Sequence, residues 1–569
     1  MFANGRIWLA YLIVFVSSTC GLVIELVAGR IMAPYIGVSL YTWTSIIGVV
    51  LAGISLGNYL GGVVADRRAS RATLGLVILA AGLASLGIMV MTVVMTGLNL
   101  ADLPFTARIV FITAAIFFLP SLILGMVSPI VIKLALQDLQ HAGNTVGTIY
   151  AVSTVGSIFG TFVTGFWLIS WLGTRTIVWL VALILLAMGA VIGEVWRPFG
   201  RAAALGGTLL ACGVALWINS NGIYHWLPAT GSTLTWVAAG AVIALPAAVA
   251  LGCLFNHKVG VAAANLAIVS YAIVGAGWGD GQYRAPCMVE SDYYCIRTME
   301  TEQGGHQLRA LVLDHLVHSY ISLDDPTVLG YGYERVYQEV TQLYAADHKE
   351  LDTLFIGGGG YTFPRYLEAK YPQASIDVLE IDPAVTRAAH DFLDMPANTR
   401  IRSFNADARA TLLEWQDPKQ YDLVYGDAFN DLSVPYHLTT VEFDRLLAQR
   451  MKDDGIYMVN IIDKYEGGEF MKAFANALKQ VFPHVYLMAQ GEAWKYPSSN
   501  TYILLASRKP FDEDRFQSVL TAAGDPPQTK VLPAAQLEHY LASGRALTLT
   551  DDFVPVDQLI APLFVERGY

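Results

Sequence analysis

Residues 351 to 382, LDTLFIGGGGYTFPRYLEAKYPQASIDVLEID, concentrate the groups that could do chemistry. An apolar strand pattern enters Gly357, Gly358, Gly359 and Gly360, a helical stretch follows, and a second strand pattern ends in Glu380 and Asp382. Glycines at such a turn let backbone approach a ligand where a Cβ would stand in the way, and an acid at the tip of the next strand can grip ribose hydroxyls. The layout reads as a nucleotide-binding βαβ unit. Two more acids follow strand patterns: Asp407 after IRSFNA and Asp427 after DLVYG. An aspartate after a strand is commonly a helix N-cap, but acids on neighbouring strand tips converge on one crevice, here beside the glycine turn. The connection after Asp427, AFNDLSVPYHLTT, is long for a strand-to-helix loop and holds Asp431, Tyr436 and His437, which suits a lid.

The elements that must position these residues alternate regularly. IDVLEID precedes a helix from Pro383, IRSFNADA precedes TLLEWQ, YDLVYGDA precedes TTVEFDRLLAQRM, and GIYMVNII precedes GGEFMKAFANALKQVF, with HVYLMAQ and NTYILLAS closing the sheet. This predicts a doubly wound, mainly parallel sheet with ligands at the carboxyl ends of its strands. Ahead of it, 291 to 323 alternates like short antiparallel strands turning at Gly304 and Gly305, and YGYERVYQEVTQLYAA predicts a connecting helix.

The composition is uneven. Only 15% of the 569 residues are charged and mean hydropathy is +0.46, too apolar for an ordinary soluble enzyme of this size. The apolar residues collect in the first half, where spans are predicted near 7–28, 41–64, 74–97, 107–134, 147–172, 175–193, 203–219, 231–254 and 258–278, about nine in all, each able to cross roughly 30 Å of hydrocarbon. The expected domains are a polytopic membrane region over 1–280, a β lead-in with its helix over 281–345, and an α/β domain over 346–569. Arg67, Arg68, Arg71, Arg197 and Arg201 fall in alternate loops, while the loops at 98–106 and 220–230 carry no Lys or Arg, which sets the N-terminus in the cytoplasm of a multi-pass inner-membrane protein. About nine spans then carry the soluble half to the far side. Nucleotide supply favours the cytoplasm instead, and one miscounted span, most readily 201–220, removes the conflict.

Glu25 and Arg30 put charge in or at the end of the first span, Pro120 and Pro129 predict kinks or a break in the fourth, and the small residues of 147–165 suit a tight helix interface. GGVVADRRASR resembles the loop between the second and third helices of major-facilitator transporters, where Asp and Arg tie helix ends together. Cys20, Cys212 and Cys253 fall in spans; Cys287 and Cys295 are either a disulfide or two free thiols. No CxxC pair or His/Cys cluster suggests a metal. A net charge of −11 argues against a nucleic-acid surface and is compatible with a cationic substrate.

GGGGY, VLEIDP, NADAR and YGDAFND, together with the β lead-in and KYPSSN, resemble the polyamine aminopropyltransferases, the spermidine synthase family, over roughly 285–510. The membrane half, with IELVAGRIMAPYIG, resembles the membrane-fused branch of that family. The resemblance implies a Rossmann-like sheet of the class I methyltransferase type. It also implies decarboxylated S-adenosylmethionine or S-adenosylmethionine as co-substrate, no metal, and a small cationic amine as acceptor. Residue by residue, it implies Gly357, Gly358 and Gly359 beneath the nucleoside, Glu380 at the ribose hydroxyls, and Asp407 with Ala408 at the adenine edge, with Asp382 a further cofactor-binding candidate. Asp427 becomes the catalytic base, Tyr337 and Gln338 line the amine site, and Tyr496 helps hold the attacking amine. Asp431 stands one residue later than the family's second acid in that loop. Two departures accompany the match: Gly360 replaces the aspartate that binds the amine of the aminopropyl group, and Tyr294 replaces a glutamine. The leading reading is aminopropyl transfer to an amine with release of methylthioadenosine. The alternatives are an S-adenosylmethionine-dependent methyltransferase and a non-catalytic transporter or sensor that binds a nucleoside or polyamine. The bilayer is the expected surrounding of the first half, and self-association is left open.

Overall fold

The computed structural model describes residues 7–96, 98, 100, 103–136, 142–194, 286–416, 419–428 and 434–566. The chain divides between Pro286 and Cys287 into two units. Among the described residues of the first, six helices are long and apolar enough to cross a membrane: α1 (Ile7–Ile36), α2 (Leu40–Arg68), α3 (Arg71–Met95), α4 (Thr106–Ala135), α5 (Ala142–Leu172) and α6 (Thr174–Gly193). The spans expected at 203–219, 231–254 and 258–278 lie outside the described residues, as do Arg197, Arg201, Cys212 and Cys253.

Small residues decide how these helices meet. A Cβ built on Gly57 of α2 would lie 2.0 Å from the Leu122 carbonyl oxygen of α4, and one on Gly75 of α3 would lie 2.2 Å from Gly193 Cα of α6. The stripe on α5 works the same way, with Gly156 and Gly160 set against Phe15 and Thr19 of α1. Helix α4 widens into a π-turn at Ala114–Phe118, just before Pro120, whose ring cannot supply the usual N–H. The loop after α2 is tied differently from the transporter analogy: Asp66 pairs with Lys133 of α4 at 2.8 Å, and Arg71 with Glu194 at 3.7 Å.

The second unit opens with an antiparallel sheet of β1 (Val289–Glu290), β2 (Cys295–Gln303), β3 (His306–Leu313) and β4 (Leu316–Ser322). Gly304 and Gly305 make the turn from β2 to β3, both at positive φ, and Asp314, at φ 55°, makes the next. Cys287 and Cys295 form a disulfide. Helix α7 (Gly332–Ala345) then leads to β5 (Asp352–Ile356), α8 (Thr362–Lys370), β6 (Ser375–Leu379), α9 (Pro383–Phe392), β7 (Arg402–Phe404), α10 (Ala408–Glu414), β8 (Tyr421–Gly426), α11 (Val441–Ala448) and β9 (Met451–Asp463). Helix α12 (Phe470–Lys479), β10 (His484–Gln490), β11 (Asn500–Ser507), α13 (Glu513–Ala522), β12 (Thr529–Val531), α14 (Ala534–Ala542) and α15 (Val556–Glu566) complete the chain.

The eight-stranded sheet has the order β12-β10-β11-β9-β8-β5-β6-β7. Strands β5 to β9 run parallel, and β11, β10 and β12 pair antiparallel beyond β9. This is the methyltransferase-like sheet that the motifs implied. Its centre is apolar on both faces: Leu354, Phe355, Ile356, Val378, Leu423, Val424 and Tyr425 are all buried. Each such side chain contributes about 1.5–3 kcal/mol, which locks the register of the strand tips. The chain leaves β5 toward β6 on one side, and β8 flanks β5 on the other, so a crevice opens over their carboxyl ends.

Candidate active site

At the end of β5 the chain turns on Gly357, at φ 96°. A Cβ there would lie 2.4 Å from the Asp427 carbonyl oxygen, so the tips of β5 and β8 approach this closely only with glycine. Tyr361 closes the turn at φ 59°, buried, its hydroxyl bonded to Thr386 and Ser403. A non-glycine residue in that region is strained, and the two side-chain bonds hold it there.

Glu380 fastens this turn to the tip of β6. Its Oε2 accepts the Gly358 N–H at 2.8 Å and the Gly359 N–H at 3.4 Å, while Oε1 accepts the Asp382 N–H at 2.9 Å. Burial pushes the carboxyl above its ordinary range, and the amide bonds oppose that shift. Asp382 caps α9 by accepting the Ala384 N–H at 2.8 Å, and its other oxygen accepts the Ser291 hydroxyl from the lead-in turn. Asp407 caps α10 through the Ala410 N–H at 2.8 Å and meets His437 Nε2 at 2.8 Å. Both aspartates are therefore N-caps, and each keeps a second oxygen for a distant partner.

Asp427 is held otherwise. Its backbone N–H donates to the Ile356 carbonyl at 2.9 Å, but its carboxylate is held by side chains, the Tyr333 hydroxyl at 2.7 Å and Asn460 Nδ2 at 2.9 Å. Desolvation raises its pKa, and the bonds from Asn460 and Tyr333 pull the other way. One cleft collects these parts. Its walls include Gly357, Gly359, Glu380, Asp407, Ala408 and Asp427, with Tyr293, Tyr294 and His318 from the lead-in and His437 from the long loop.

Other expected residues fall elsewhere. Gly358 lies under the Tyr361 ring, and Asp382 supports the cleft from behind without lining it. Tyr337 is buried with its hydroxyl on the Gly426 carbonyl at 3.2 Å, and the tyrosine that reaches Asp427 is Tyr333, one helical turn earlier. The turn of α7 offered two tyrosines on one face, and only packing chooses between them. Gln338 points to the far side of α7, where Arg335 Nη1 donates to its Oε1 at 3.2 Å. Tyr496 is 63% exposed and does not line the cleft. Asp431 lies outside the described residues. His318 and Asn460 were missed. His318 Nε2 is buried and finds no hydrogen-bond partner among the described residues, and desolvation, then His315, lowers its pKa to about 4, so the ring is neutral. Asn460 had a signal, a lone amide in the apolar run MVNII.

Residues 334–513 match the family model described as Spermine/spermidine synthase domain. The chain is similar to a probable polyamine aminopropyl transferase of Bifidobacterium longum, 29% identical over 130 residues that cover 23% of this chain and 28% of that protein. It is also similar to a polyamine aminopropyltransferase of Vibrio vulnificus, 32% identical over 108 residues, covering 19% of this chain and 36% of the relative. The chain thus spans about a third of the length of these relatives. A solved structure of a probable spermidine synthase from Corynebacterium glutamicum is 22% identical, with a TM-score of 0.40 over 46% of this chain and 95% of that one.

Proposed function

We propose that this protein is embedded in a membrane and that its second unit is a transferase that alkylates a small cationic amine from a sulfonium adenosyl nucleoside, a reading supported by the match of residues 334–513 to the Spermine/spermidine synthase domain model. Aminopropyl transfer from decarboxylated S-adenosylmethionine, releasing methylthioadenosine, is the reaction preferred. The observation that carries this reading is Asp427, set in the same cleft as the glycine turn and Glu380 and gripped by Tyr333 and Asn460.

In this reading Glu380 takes the ribose hydroxyls, and Asp407 with Ala408 bounds the adenine. The sulfonium already activates its neighbouring methylene, so the chain's task is to align a neutral amine and accept its proton. The amine lone pair forms the new C–N bond, the C–S bond breaks, and methylthioadenosine leaves as a neutral thioether. The proton lost from nitrogen goes to Asp427, whose partial burial raises its affinity for it. Tyr333 fixes the carboxylate plane.

One observation favours methyl transfer from S-adenosylmethionine instead. The place a side chain at Gly360 would need is filled, with an added Cβ falling 2.0 Å from Ser319 Oγ and 2.6 Å from Ile321 Cδ1, so this position offers no acid to an aminopropyl ammonium. The test is purified full-length protein given each donor with a panel of amines. Methylthioadenosine from the decarboxylated donor supports the preferred reaction, S-adenosylhomocysteine from the other supports methyl transfer, and neither product would refute the transferase reading.

A further inference from the structure

We propose that the turn Ser291–Tyr294, tied at its base by the Cys287–Cys295 bond, is a redox-stapled wall of the nucleoside cleft; this rests on the reading that the cleft takes an adenosyl nucleoside. The two cysteines lie eight residues apart at the base of the β1–β2 hairpin. That hairpin is short. Its ladder pairs only Val289 with Ile296 and Glu290 with Cys295, extended by the Met288 N–H on the Ile296 carbonyl at 2.8 Å. So brief a two-stranded ladder is marginal by itself.

The tip of the hairpin is part of the site. The Ser291 hydroxyl donates to Asp382, directly behind Glu380, and its oxygen accepts the backbone N–H groups of Tyr293 at 3.1 Å and Tyr294 at 2.9 Å. One hydroxyl thereby shapes the turn and docks it, and Tyr293 and Tyr294 then line the cleft. On the other side the Cys295 N–H donates to Asp314 at 2.9 Å, which anchors β2 but not β1. The Ser291 N–H on the Tyr294 carbonyl at 2.9 Å and the Met288 sulfur, which accepts from Thr298, also tie β1 to β2, and the disulfide adds the covalent link that limits the open conformations of the turn. A dithiol reductant opens it by exchange: the reductant's two thiols become a disulfide, the S–S bond accepts two electrons and two protons, and Cys287 and Cys295 become thiols. The β1 arm then frays, Ser291 leaves Asp382, and the tyrosine wall loosens.

The test uses the full chain in detergent, oxidised or treated with dithiothreitol, alongside Cys287→Ser/Cys295→Ser. Methylthioadenosine affinity is measured by calorimetry, and backbone hydrogen exchange is followed over 287–296. Expected are an affinity about tenfold weaker on reduction, faster exchange confined to the hairpin, and a double variant that behaves as the reduced protein with or without reductant. Equal exchange in the oxidised and reduced protein would overturn the staple whatever the ligand does, and equal affinity with altered exchange would overturn the wall. Absence of methylthioadenosine binding in both states would overturn the nucleoside reading and the wall together, whereas the exchange measurement reads the staple separately.

Discussion

Glu380 and Asp407 on one side of the cleft and Asp427 on the other are all strand-tip acids, yet they are held by different parts of the chain. The first two accept backbone N–H groups from the glycine turn, from Asp382 and from the first turn of α10. Asp427 accepts from Tyr333 and Asn460 side chains. Backbone donors fix position and are indifferent to side-chain substitution, which suits a rigid nucleoside. Side-chain donors set proton affinity, which suits a base. In the proposed reading the contrast separates binding from proton transfer within one crevice, and substitutions at each end should separate them too.

The largest effect is expected at Asp427. Asp427→Asn keeps the shape and both neighbours but cannot accept the proton, so the rate of product release should fall by about 10²–10⁴-fold with nucleoside affinity unchanged. Unchanged turnover in this variant would assign the base elsewhere. Next comes Glu380→Gln, which removes the charge that meets the glycine amides and, in the proposed reading, the ribose. Methylthioadenosine affinity should drop by about tenfold or more, measured by calorimetry, while turnover at saturating donor changes less.

Tyr333→Phe should act through pH. As the proposed base, Asp427 must be ionised, so activity is expected above its pKa and lost as pH falls through it. Burial has already moved that limb above the ordinary carboxylate range. The Tyr333 bond favours the charged form, so its removal moves the limb further up. A pH–rate profile that stays in place would break the claim that side chains tune this end. The smallest effect is expected from Gln338→Ala and Tyr496→Phe, which face away from the cleft or into solvent and should alter turnover less than about twofold.

The sheet was legible because buried β-branched strands alternate with helices whose polar faces are plain, and the acids at the tips of β6 and β8 followed from that register. The cleft was legible as glycine turn plus acids. What sequence could not choose was the partner across space. Tyr333 and Tyr337 share a helix face, and the three-dimensional fit of α7 on β8 decides which hydroxyl meets the carboxylate. Ser291 and Asp382 are 91 positions apart, and no local pattern announces their bond. The Cys287–Cys295 pair was open for the same reason, since spacing alone permits both a bond and two thiols. In the first unit, hydropathy located the six described long helices, but the π-turn before Pro120 is a backbone response to a missing N–H that hydropathy does not register.

Titration of the full chain in detergent with methylthioadenosine, in parallel on wild type, Glu380→Gln and Asp427→Asn, tests the division of labour most directly. The account predicts one nucleoside site per chain, weakened in Glu380→Gln and intact in Asp427→Asn. No binding to the wild type, or equal loss in both variants, would contradict it.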